Sequence, residues 1–89
     1  MTQERIDPTI LESPDIVSFI TLTRNIHPRP FIRKSDRRVC FEFKEDVSEA
    51  IAEFYSNVKV PVSDFCKNLK NIRSMIFTLK GIGGNHAKS

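Results

Sequence analysis

Apolar positions recur along this chain with two periods, and the change from one to the other divides it into elements. Between residues 14 and 24, Ile16, Phe19, Ile20 and Thr23 fall at i, i+3, i+4 and i+7, with Val17 and Leu22 widening the stripe. That spacing predicts an amphipathic helix. Ser13-Pro14-Asp15 supplies its start: a hydroxyl for free amides, a ring that suits the first helical position, and a carboxylate at the positive end of the dipole. Asn25, which tolerates left-handed backbone, and the apolar Ile26 supply its end, and Pro28 and Pro30 bar continuation.

The period then drops to two. Val39, Phe41 and Phe43 alternate with Cys40, Glu42 and Lys44, the pattern of a strand with one buried face. Phe31, Ile32 and Arg33 form the partner strand of a hairpin. Its turn lies near Ser35-Asp36, and the absence of Asn-Gly or Asp-Gly predicts a loop of about four residues. Pro28 and Pro30 lack amide donors and suit an edge.

A helical period returns at Val47, Ala50, Ile51, Phe54 and Tyr55, introduced by Asp46 and Glu49 as a capping box and ended by Asn57 with Val58. Beyond Pro61, Ser63 with Asp64 restarts a helix. Here Phe65, Leu69, Ile72, Ile76 and Leu79 share one sector, with Lys67, Lys70, Asn71 and Ser74 opposite and Gly81 as the C′ residue.

The predicted order is helix, antiparallel hairpin, helix, helix, with residues 5–11 as a candidate for a short third strand. A lone hairpin is marginal, so its Val39, Phe41 and Phe43 face must lie under the helices. The expected class is α+β: an N-terminal segment 1–12, one domain over 13–80 and a flexible tail over 81–89. At 89 residues, one core can suffice without disulfides or metal, but a second domain is not expected.

The pattern of residues 12–79 resembles a small family of uncharacterised prokaryotic and phage-associated domains, known only as a domain of unknown function. The likeness lies in Ser13-Pro14-Asp15-Ile16, in the run from Val39 through Phe43 to Asp46, in Phe54-Tyr55-Ser56-Asn57, and in Phe65 with Leu69-Lys70-Asn71-Ile72 and Ile76-Phe77. Such families have glycine after the first helix, where this chain has Asn25. The resemblance implies a shared fold and no catalytic residues.

Charge adds what the hydrophobic pattern does not contain. Fourteen Lys and Arg against eleven Asp and Glu leave +3, yet the charges come in blocks. Residues 1–23 hold one cation and four acids, net −3. Residues 24–44 hold seven cations and two acids, net +5, and residues 45–64 one cation and five acids, net −4. Residues 65–89 hold five cations and no acid, net +5.

The hairpin cations Arg29, Arg33, Lys34, Arg37 and Arg38, with Lys67, Lys70 and Arg73 of the last helix, are therefore the candidate binding residues. Arginine forks match phosphate, so the leading expectation is a non-enzymatic accessory module that binds nucleic acid. Set against it is a solvated basic face neutralised by Glu49 or Glu53. The alternative function is a protein-interaction module, for instance a homodimer, because an open sheet edge and a long apolar helix invite a partner. Tyr55 and Phe77 flank the predicted stripes and are the aromatics expected to stay partly exposed, candidates for weak stacking on single-stranded nucleic acid.

Catalysis finds no support. His27 and His86 lack a Ser, Cys or Asp at relay spacing, and the glycines at 81, 83 and 84 follow a helix where a phosphate cradle would precede one. The segment from Ser56 to Val62 is too long for a helix-turn-helix. Cys40 and Cys66 lack metal-ligand spacing and read as small core residues. No metal, cofactor or small-molecule substrate is expected. Without a signal peptide or an apolar run long enough for a bilayer, a cytoplasmic location is expected and no membrane partner.

Overall fold

The computed structural model describes residues 8–83. Its elements are β1 (Thr9–Leu11), α1 (Pro14–Arg24), β2 (Arg29–Ile32), β3 (Val39–Phe43), α2 (Ser48–Tyr55) and α3 (Val62–Gly83). The three strands form one antiparallel sheet in the order β1-β3-β2, and the fold is α+β. The expected third strand is present as β1; the rest of the expected N-terminal segment, residues 1–7, lies outside the described residues, as do His86 and the expected tail from 84 to 89.

Strand β3 is central because it alternates large apolar side chains without interruption. Thr9 stands opposite Phe43 and Leu11 opposite Phe41, while Pro30 and Ile32 of β2 face Phe41 and Val39. This face meets the helices. Phe41 and Phe43 are fully buried with Val17, Ile20, Val47, Ala50 and Ile72 in one cluster. The other face carries Ile10, Arg29, Phe31, Cys40 and Glu42 by the same register. Pro30 sits in an edge strand, where its missing amide costs no ladder bond.

Helix α1 is enclosed more completely than an amphipathic stripe requires: every residue from Ile16 to Thr21 is buried. It packs against both α2 and α3, so its polar members need local partners. The Ser18 hydroxyl donates to the Pro14 carbonyl at 2.7 Å. The Thr21 hydroxyl lies 3.0 Å from the Ser18 carbonyl and 2.9 Å from Asn68 Oδ1 of α3, either of which can accept its proton. Asn68 stands on the flank of the apolar sector of α3 and in turn donates to the Asp64 carbonyl.

The helix ends follow the sequence signals, with two corrections. Asn25 takes left-handed backbone at φ 56° and its amide bonds the Thr21 carbonyl. Asn57 does so at φ 60°, and the Asn57 and Val58 amides bond the Phe54 and Glu53 carbonyls in a Schellman arrangement. At the start of α2, however, Asp46 and Glu49 form no capping box. Val47 is drawn into the core, so the helix begins at Ser48, and Asp46 Oδ1 accepts from the Ser48 amide and hydroxyl instead. Helix α3 does not end before Gly81 but continues to Gly83. Nothing crowds Gly81, so the helix pays only its weak propensity there. Cys40 is buried as expected, but Cys66 is exposed, because it stands about 100° round α3 from Phe65.

Candidate nucleic-acid interface

The hairpin places its cations among carboxylates. Its loop spans residues 34–37, closed by the Arg33 amide on the Arg38 carbonyl and by the Arg37 amide on the Arg33 carbonyl, both at 2.8 Å. Arg37 takes left-handed backbone at φ 62° to complete the turn. Within this loop Arg33 grips Asp36 with a two-pronged pair, Nε to Oδ1 at 3.1 Å and Nη2 to Oδ2 at 2.6 Å, and also reaches Glu12 Oε2 at 2.6 Å. Arg38 lies 3.5 Å from Glu12 Oε1 and 3.7 Å from Asp36 Oδ2. The Arg33 guanidinium, with help from the Arg38 amide, lowers the Asp36 carboxyl from 3.8 to about 2.

Arg29 is held separately. Two of its nitrogens approach Glu42 Oε1, at 2.6 and 3.0 Å, and its guanidinium lies 5.3 Å from the centre of the Phe31 ring. Four residues along an extended strand put Arg29 about 13 Å from Arg33. The neutralising acids are therefore Glu12, Asp36 and Glu42. Neither helix α2 acid expected to serve is among them: Glu53 pairs with Arg24 of α1 at 3.1 Å. The five hairpin cations share their neighbourhood with three carboxylates, which removes much of the charge visible in the sequence.

The cations of α3 stand differently. Lys67, Lys70, Arg73 and Lys80 are all exposed. Among the described residues none of the four has a carboxylate within 4.0 Å. At 100° per residue, Cys66, Lys70, Arg73, Phe77 and Lys80 fall within a sector of ~80° on one side of the apolar seam. Phe77 is 81% exposed. The opposite flank, with Asn68, Asn71 and Met75, faces Thr21, His27 and Pro28 across a surface hollow.

At its C-terminal end the basic side of α3 reaches the hairpin. Lys80 and Ile76 share the wall of a shallow hollow with Arg38, Val39 and Glu12. The two basic blocks thus approach at Arg38 and Lys80, with Glu12 beside them, while Arg29 stays at the far end of β2 among His27, Glu42, Lys44 and Glu45. Lys80 was absent from the residues expected from sequence. Its spacing of seven from Arg73, two helical turns, was the signal that could have found it.

Tyr55 is 69% exposed but lies elsewhere. It lines an apolar hollow of about 350 Å³ with Phe19, Phe54, Val58, Val60 and Phe65. Phe54 stacks edge-on against Phe19 and Tyr55, at 5.6 and 5.3 Å. Among the described residues, no group of three or more His, Cys, Asp or Glu side chains is placed to hold a metal ion. No described helix is long and apolar enough to cross a membrane. Comparisons with protein-family models, with curated proteins and with solved structures return no match.

Proposed function

We propose that the chain is a non-enzymatic binding module that takes nucleic acid on the outer side of α3. The observation that carries this reading is the run of Lys70, Arg73 and Lys80, which among the described residues has no carboxylate within ion-pair distance, continued by Arg38 at the hairpin end. Cations without partners release counterions when phosphate replaces solvent, and that release supplies most of the affinity. Lys67, pointing more directly outward, adds to the same field. Arg33 and Arg38 contribute less, because each carboxylate beside them repels an incoming phosphate. Arg29, at the far end of β2 among Glu42, Lys44 and Glu45, is peripheral to this surface.

A salt titration with a labelled oligonucleotide tests the reading. With about four phosphates neutralised, log K falls against log salt with a slope near −3 for a single strand and near −4 for a duplex. Replacing Lys70, Arg73 and Lys80 by Gln one at a time lowers the slope by roughly one each. Absence of retention at low salt overturns it.

A second reading, a protein-interaction module, has its own observation. The hollow bordered by Tyr55, Val58 and Phe65 is apolar, and the neighbouring Val62 is 76% exposed. Under that reading the chain self-associates, and its mass in solution exceeds the 10.2 kDa of one copy.

A further inference from the structure

Phe77 is a large apolar ring left 81% exposed in the middle of a basic stripe. Burial of such a ring is favourable, and no described element supplies it. Helix α3 could have turned it inward only by moving ~120° of arc, which would expel Ile72 and Ile76 from the core. The ring therefore looks out on the same side of α3 as the cations beside it. Lys70 to Lys80 spans about 15 Å along the axis, with Arg73 one turn before Phe77 and Lys80 one turn after.

We infer that Phe77 is a base-stacking platform and that the ligand class is single-stranded nucleic acid. This rests on the nucleic-acid reading above. In a duplex the base faces are stacked on one another, so an outward ring has only edges and phosphates to meet. A single strand offers open π-faces, and a charged groove with an aromatic ring holds it with little regard to sequence. Phosphates then sit on Lys70, Arg73 and Lys80 while one base covers Phe77. Tyr55 takes no part. It stands beside Phe65, twelve residues earlier on α3 and about 18 Å away by helical rise, and its own helix carries Glu49 and Glu53.

The test uses the whole chain with two probes, a labelled 20-mer of oligothymidylate and a 20-base-pair duplex, and three variants. Phe77→Leu keeps an apolar helix former and removes the ring. It is expected to weaken oligothymidylate binding at least about fivefold while leaving the duplex and the salt slope unchanged. Tyr55→Leu leaves both unchanged. The chain has no Trp, so Phe77→Trp places a single reporter on the platform. It is expected to restore binding, and its emission is expected to be quenched at saturation.

Wild-type affinity of Phe77→Leu for oligothymidylate, or unquenched emission of Phe77→Trp at saturation, overturns the platform and leaves the nucleic-acid reading standing. An equal loss on both probes makes Phe77 a general contact and overturns the single-strand assignment. Failure of the wild-type chain to bind either probe at low salt overturns both readings.

Discussion

Among the described residues, three with side chains carry left-handed backbone: Asn25, Arg37 and Asn57. At the two asparagines the cost is small, because a short amide side chain tolerates this region, and the reward is the closure of α1 and α2. Asn57 matters most, since the chain must leave α2 and reach Pro61 before α3 begins. Asn57→Ala is expected to destabilise the fold by about 1 kcal/mol, whereas Asn57→Gly stays within a few tenths. Urea unfolding of the two variants beside the parent checks the difference. Arg37 is the exception, a long side chain where a hairpin turn would favour glycine, held there by the loop its amide closes on the Arg33 carbonyl.

At the scale of elements, the hairpin adds loop contacts of its own to the ladder that pairs β2 with β3. Asp36 receives the Arg33 fork and the Arg38 amide, and its carboxyl falls to about 2. A carboxyl lowered on folding contributes stability that is complete above its unfolded value of 3.8 and is lost as pH falls through about 2. The Asp36 carboxyl resonance is accordingly expected to titrate near 2, and Arg33→Gln is expected to return it toward 3.8; NMR titration of both chains reads this directly. Asp46 moves in the same direction because the Ser48 amide and hydroxyl bond its charged form. Cys40 moves oppositely: burial on the central strand disfavours the thiolate and raises its thiol.

At the scale of the molecule, the decisive arrangement is where the four charge blocks meet. Glu12, from the first acidic block, bridges Arg33 and Arg38 and shares a hollow with Lys80. It therefore sits at the junction of the two basic blocks and depresses the potential there. Glu12→Gln is expected to tighten nucleic-acid binding by about threefold at low salt, the effect of one charge at ~6 Å in water, and to lose that gain at high salt. Fluorescence anisotropy at two ionic strengths measures it. Unchanged affinity at both would show that phosphate does not approach this junction.

How much of this could be read from residues alone depends on the range of the interactions concerned. Helix α1 from Pro14 to Arg24, the Phe41 and Phe43 face, the four-residue hairpin loop and the asparagine stops were legible, because periodicity, capping and turn chemistry act within a few residues. Even the exposure of Tyr55 and Phe77 followed from their place beside the apolar stripes. The capping box at Asp46 was not realised because the burial of Val47, a tertiary effect, shifted the helix start. Charge was the least legible property. Ion pairs join residues as distant as Glu12 and Arg38, so the neutralisation of the hairpin and the freedom of the α3 cations emerged only when the sheet and helices packed. The local code thus determined the elements and their buried faces, whereas tertiary packing alone decided which cations kept their charge unpaired and which exposed aromatic ring lay among them.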